Sequence, residues 1–265
     1  MNTSYKTVIK FKDLYIPVKM LKTSHNSSIE LNQLCKDSKE RVRYIKFCPS
    51  CNKEIHNEDI VKGYRAFIKD IYAAGCRNLQ LDDCSWGMVV DSSAPVLFGT
   101  TKAGLEKIKE QLLDVNNKAI EGAPKDLVIN THVCRGNFHS TYASSGAYDS
   151  VAETLFAKEN VNAYYLEFDD ERSGGFEPLK HFANNPHKGR VVLGLISSKF
   201  PKLEDKAAIK ARIKEATQYV PLEQLCLSPQ CGFASTEEGN IMTEAQQWAK
   251  VRYVEEIAKE VWGED

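Results

Sequence analysis

The sequence predicts an α/β protein built as a (β/α)₈ barrel, and three observations predict it. Short β-branched or apolar runs alternate with amphipathic helical stretches from residue 57 to the end, the pattern of a parallel sheet covered by helices. Nearly every run ends in chemically rich residues: Asp82, His132 and Cys134, Glu167, Ser197 and Ser198, and Cys231. A barrel places polar groups at the C-terminal end of each strand, whereas a doubly wound sheet gathers them at one switch point. No Gly-x-Gly-x-x-Gly and no phosphate-binding Gly-Lys-Ser/Thr loop follows any strand.

The elements follow in order. Thr7 to Met20 contains strand-like pieces, and residues 23 to 43 read as polar loop with a short charged helix. Val42 to Phe47 reads as a strand running into Cys48-Pro-Ser-Cys51. Asn57 is a candidate N-cap for a helix that turns Ile60, Val61, Tyr64, Phe67, Ile68, Ile71 and Tyr72 to one face, with Gly75 closing it. Arg77 to Leu81 is a strand ending at Asp82-Asp83. A polar loop leads to a helix with Leu105, Ile108, Leu112 and Val115 on one side. Leu127 to Thr131 is the next strand, followed by a helix over Tyr148 to Lys158 with Asp149 or Ser150 as cap. Ala163 to Phe168 and Arg190 to Ile196 are strands, Glu204 to Tyr219 a helix, and Glu223 to Leu227 a short strand. The last helix starts near Thr243 and turns Trp248, Val251, Val254, Ile257 and Val261 inward.

Composition bounds the rest. The 265 residues are 42% hydrophobic and 27% charged, with a formal net charge of −1. That is ordinary for a soluble globular protein and gives no broad basic field for nucleic acid. No apolar run is long enough to span a membrane, and the N-terminus lacks the apolar core of a signal peptide. A cytoplasmic location is expected. With no low-complexity linker and no repeat beyond the βα period, residues 1–265 read as one domain, its first 43 residues the least readable. The eight cysteines are not spaced as a disulfide scaffold and are expected to be reduced.

His132 and Cys134 carry the most specific local signal. Two apart at a strand end, they point to one face. Zinc takes nitrogen and thiolate sulfur together. Three positions compete for the remaining ligands: Cys231, Glu167 with the acids behind it, and Cys48-x-x-Cys51. Cys35, Cys76, Cys84 and Cys226 read as packing residues. His25, His56, His181 and His187 read as exposed.

Three stretches, Thr131-His-Val-Cys134, Leu166-Glu-Phe-Asp-Asp-Glu-Arg-Ser-Gly174 and Leu227-Ser-Pro-Gln-Cys-Gly-Phe233, together resemble the cobalamin-independent methionine synthases, in particular their shorter single-barrel branch. The resemblance runs from about residue 44 to the C-terminus. It implies a (β/α)₈ barrel with one catalytic zinc held by His132, Cys134, Glu167 and Cys231. It also implies Asp82 as the group that holds the amine of homocysteine. The implied reaction moves a methyl group from 5-methyltetrahydrofolate, in polyglutamylated form or not, to the thiol of homocysteine, giving methionine. Arg135, Asn137, Arg172 and Trp86 are candidate substrate contacts around that site, with Arg172 suited to a carboxylate and Trp86 to a pterin ring.

Two departures qualify the resemblance. Ser197 stands where the family carries a proton-donating His, so Asp169, Asp170, His139 or a relayed water must serve, or the methyl donor is different. The Gly-Ser turn and the acid that the family carries on two earlier strands are not found before residue 44. Either residues 1 to 43 replace those strands, or the barrel lacks its first two and pairs with a second copy, or it binds zinc without methyl transfer. Other thiols or other alkyl donors remain open alternatives.

Overall fold

The computed structural model describes residues 6–11, 14–19, 56–234 and 238–263. The strand expected near residue 44, and with it His25, Cys35, Cys48 and Cys51, lies outside the described residues. Two strands, β1 (Lys6–Phe11) and β2 (Leu14–Lys19), form an antiparallel pair with Lys6 opposite Lys19 and Phe11 opposite Leu14. They coincide with the strand-like pieces of the sequence.

The rest is built on five parallel strands: β3 (Asn78–Asp82), β4 (Val128–Val133), β5 (Ala163–Glu167), β6 (Arg190–Ile196) and β7 (Leu225–Pro229). They lie side by side in chain order. A doubly wound sheet reverses its strand order at the switch point; this one never reverses, so it is an arc of a (β/α) barrel. The helices are α1 (Asn57–Ala73), α2 (Cys84–Val89), α3 (Ala94–Leu97), α4 (Lys102–Ile120), α5 (Asp149–Lys158), α6 (Lys206–Ala216) and α7 (Glu244–Trp262).

Strand alternation divides the arc into two faces. Leu79, Ile129, Tyr164, Leu166, Val191, Leu193 and Leu225 face the helices and join the main core with Leu112, Leu155, Ile213 and Ile257. The opposite, concave face is polar. Asp82 stands opposite His132, and His132 opposite Tyr165, across adjacent strands. On β3 the concave residues Asn78, Gln80 and Asp82 are exposed, which keeps this face open to ligands.

Several local expectations are corrected. The first helix is capped by His56, not Asn57, in a reciprocal arrangement with Asp59. The polar loop after Asp83 contains α2 and α3, because the Asp83 carboxylate accepts from the Ser85 amide and starts a helix there. Glu177–Asn184 winds as a 3₁₀ helix whose Phe182 stacks on Phe156 at 4.7 Å. Trp248, expected to face inward, is 51% exposed, whereas Ile257 on the same helix is fully buried.

Candidate metal centre

β4 runs one residue pair beyond its predicted end, so His132 belongs to the strand and Cys134 follows it directly. Cys231 enters from the segment after β7. The ligand atoms of His132, Cys134 and Cys231 all lie within 4.8 Å of one another. The Cys134 and Cys231 sulfurs are 3.9 Å apart. Two thiolates on a tetrahedral zinc, each about 2.3 Å from the metal, stand about 3.8 Å from each other.

The fourth expected ligand, Glu167, ends β5 and is fully buried. Its Oε1 is 3.9 Å from His132 Nε2 and accepts the Arg135 amide at 3.1 Å. Its Oε2 has no hydrogen-bond partner. A buried carboxylate oxygen without a partner is costly; Glu167 stands next to His132, outside the group of His132, Cys134 and Cys231 whose ligand atoms all lie within 4.8 Å. Burial pushes the Glu167 carboxyl up, opposed by the Lys199 charge.

Electrostatics point the same way. The hydrogen bond with Cys134, with burial, pushes the Cys231 thiol well above the ordinary thiol range, while for Cys134 the bond with Cys231 works downward but the Cys84 contact and burial outweigh it and push that thiol up as well. Neither becomes a thiolate readily unless a cation arrives. Burial works against the His132 imidazolium, but the hydrogen bond to Asp82 and the charges of Cys231, Asp82 and Glu167 together outweigh it and raise the group to about 9. That bond joins His132 Nδ1 to Asp82 Oδ1 at 2.8 Å. A carboxylate on Nδ1 fixes the ring orientation, and Nε2, which meets the Gln230 carbonyl oxygen at 3.1 Å, would have to exchange that partner for a metal. The donor set of one imidazole, two thiols and one carboxylate fits zinc.

The other expected residues fall in different places. Asp82 sits at the site as the partner of His132. Asp169, Asp170 and Arg172 form one cluster: Arg172 lies 3.1 Å from Asp169 and 2.6 Å from Asp170. The Asp169 side chain is 2% exposed and that of Asp170 is 45%. Burial raises the Asp169 carboxyl, with Lys199 and Arg172 opposing. Ser197 is half-buried, and its amide donates to Glu204. Asn137 is buried and ties three segments together, donating to the Gly232 carbonyl at 2.5 Å and accepting from Asn240 at 2.7 Å.

Trp86 and Arg135 are placed differently from the sequence expectation. Trp86 is fully buried in the core, so no face of its ring is open to a pterin. The Arg135 guanidinium is also buried, 4.4 Å from the Tyr148 ring centroid and bonded to the Gly146 carbonyl. It braces the wall of the site.

Three residues at the site had no functional expectation. Cys84, read as packing, groups with Asp82 and Cys134 within 4.8 Å. Tyr148 clamps the Glu167 backbone: its hydroxyl receives the Glu167 amide at 3.0 Å and donates to the Glu167 carbonyl at 3.3 Å. Lys199 is 2% exposed. The adjacency of Cys84 to Asp82 at a strand end was a usable signal. For Tyr148 and Lys199 nothing local distinguished them. A pocket of about 190 Å³ opens beside the cluster, lined by Gln80, His132, Tyr165, Gln230, Cys231 and Gly232 among others.

A family model described as the cobalamin-independent synthase catalytic domain matches residues 49–252. The chain belongs to that family. The uncharacterised Bacillus subtilis protein YxjG is 48% identical over 212 residues, covering 79% of this chain and 55% of YxjG. A solved Listeria monocytogenes structure, assigned as a vitamin-B12-independent methionine synthase, is 39% identical with a TM-score of 0.61, covering 78% of this chain and 55% of that one. The chain thus spans about half the length of these relatives. A second model, described as the Ku70/Ku80 beta-barrel domain, matches residues 10–72. The Lachnoclostridium phytofermentans non-homologous end joining protein Ku is 48% identical over 61 residues, 23% of this chain and 24% of that protein. The two matched ranges overlap within residues 49–72. Among the described residues no helix is long and apolar enough to cross a membrane.

Proposed function

We propose that the chain carries a zinc-dependent methyltransferase site that moves a methyl group from a methylated folate to the thiol of homocysteine. The observation that carries this reading is the convergence of His132, Cys134 and Cys231, whose ligand atoms lie within 4.8 Å of one another. His132, Cys134, Cys231 and Glu167 would hold the ion. Zinc bound there supplies a Lewis acid able to keep a substrate thiol deprotonated at neutral pH.

The chain's own residues do the remaining work. Asp82 fixes the His132 ring. Tyr148 and the Arg135 amide hold Glu167, the hardest of the four donors. Glu167 is the ligand we expect to yield when a thiol arrives, since a catalytic zinc keeps one exchangeable position. The leaving nitrogen of the donor needs a proton. A serine hydroxyl is a poor acid near neutrality, so Ser197 does not fit that role. Both acids pair with Arg172, but Asp169, buried and with its carboxyl raised, fits the role better than the exposed Asp170. Arg172 keeps an unpartnered Nη1 with which to meet a substrate carboxylate.

The test is zinc content and methionine formation in the native chain and in Cys231→Ser. One zinc per chain, lost in the variant, together with methionine formed from 5-methyltetrahydrofolate, is the expected result. Zinc retained by Cys231→Ser would remove the ligand set. Zinc bound normally but turnover only with S-methylmethionine would keep the site and replace the donor.

A further inference from the structure

Three lysines of the described chain are buried, and two have clear partners. Lys250 is fully buried and meets both Glu204 oxygens at 2.7 and 2.9 Å. Lys109 donates to the Ser150 carbonyl at 2.6 Å and pairs with Glu106 at 2.6 Å. Lys199 is 2% exposed, and its Nζ has no hydrogen-bond partner. An isolated buried ammonium costs several kcal/mol. The fold therefore carries a desolvated amine that no group of the described chain meets in a hydrogen bond or close ion pair.

Its surroundings say what would contact it. Lys199 follows β6 directly after Ser198, whose hydroxyl donates to the Gly232 carbonyl beside Cys231. The Lys199 charge is the largest influence opposing burial at both Glu167 and Asp169, which puts it on the metal-centre side of the strand. Neither carboxylate pairs with it. Asp169 is taken by Arg172 at 3.1 Å, and Glu167 Oε1 by the Arg135 amide at 3.1 Å. A ligand bringing its own anion to the centre would complete Lys199 at no further desolvation of the lysine.

We propose that Lys199 is an anion-binding residue of this site and takes the carboxylate of an amino-acid substrate whose other end meets the metal cluster. The ligand class is a small α-amino acid bearing a thiol. This rests on the reading above that the site accepts such a thiol. The ammonium contributes charge recognition, and the empty pairing position sets a preference for carboxylate-bearing thiols over bare ones.

The experiment measures equilibrium binding by calorimetry for the native chain, Lys199→Met and Lys199→Arg, with three ligands. They are homocysteine, its carboxylate-free counterpart 3-aminopropane-1-thiol, and its thiol-free counterpart 2-aminobutyrate. Lys199→Met is expected to weaken homocysteine at least tenfold, to abolish 2-aminobutyrate binding and to leave the bare aminothiol unchanged. Lys199→Arg should recover part of the loss. Without ligand, Lys199→Met should melt no lower than the native chain, because it removes an unpaired buried charge; a lysine needed only for packing would lower the melting temperature. Homocysteine and 2-aminobutyrate bound equally by native and Lys199→Met overturns the proposal. So does a native chain that binds homocysteine no better than the bare aminothiol. Native binding of 2-aminobutyrate that depends on Lys199, with no binding of the aminothiol, upholds the anion site and sinks the thiol reading.

Discussion

Glu159 shows how single residues set both the cost and the limits of this fold. It is fully buried, bonded through Oε1 to Asn116 at 2.8 Å, and Asn116 also donates to Asp83 at 2.7 Å. Burial, with Asp83 adding to it, pushes its carboxyl up to about 8. The folded value lies above the unfolded one. The protonated side chain is therefore tolerated at low pH, and stability falls as pH rises from about 4.5 through about 8, where the unfolded chain ionises and the folded one resists. A displacement of that size corresponds to roughly 4–5 kcal/mol above pH 8. Glu159→Gln keeps the acceptor for Asn116 and removes the charge. Thermal melts at pH 8.5 should show the variant at least about 5 °C above the native chain, and melts at pH 4.5 should show no difference. Equal melting at both pH values would mean that Glu159 stays ionised and solvated. This residue was invisible in the sequence: Lys158-Glu-Asn160 reads as a polar helix end, and only the closure of Asn116 and Asn185 around it makes it a core group.

At the scale of elements, α2 is the part that couples the fold to the metal centre, and it is where periodicity gave no warning. A six-residue helix starting at a cysteine carries too little pattern to stand out from a polar loop. The longer elements were legible because each has one face to bury: β6 is predicted to the residue, α7 starts next to the predicted Thr243, and the predicted face of Leu105, Ile108, Leu112 and Val115 falls within α4. The grouping of His132, Cys134 and Cys231 was legible through strand-end spacing and through the three family-like motifs. The first 43 residues were not, although the strand-like pieces around residues 7–20 match the β1–β2 pair and the Ku-like range begins at residue 10. α2 matters through Gly87. A Cβ there would stand 2.2 Å from the Cys134 carbonyl oxygen. Exchanging a helical glycine for alanine ordinarily stabilises by about 0.5–1 kcal/mol, and Gly63→Ala in α1, with nothing within 4 Å, should do that. Gly87→Ala should instead cost about 1–3 kcal/mol through overpacking, push the Cys134 backbone outward and weaken zinc retention. Urea unfolding and metal analysis of the two variants side by side decide it: stabilisation by both would show that α2 does not set the position of Cys134.

At the scale of the whole molecule, the proposed metal centre would be a cross-link. His132 and Cys134 come from the end of β4, Glu167 from the end of β5 and Cys231 from beyond β7, and in sequence the outermost ligands are almost a hundred residues apart. The arc itself is held by lateral pairing in chain order, β3 to β7, so its two outer strands each pair on one side among the described residues. Nothing in the concave face substitutes for lateral pairing there, because that face is polar and open. An ion that joins β4, β5 and the segment after β7 therefore stabilises the arc as a unit. Binding to the folded state alone adds about 2.7 kcal/mol when free metal is a hundredfold above its dissociation constant. For a body of about 200 residues that raises the melting temperature by about 5–10 °C. The metal must displace the proton of His132, held up to about 9 against burial by Asp82, Cys231 and Glu167, and the protons of two thiols. The shift should accordingly be small at pH 6 and large at pH 8. Scanning calorimetry of the stripped chain with and without added zinc at the two pH values tests this. Cys231→Ser should show the stripped behaviour at both. A zinc-induced rise in Cys231→Ser equal to that of the native chain would place the stabilising ion somewhere other than the ends of β4, β5 and β7.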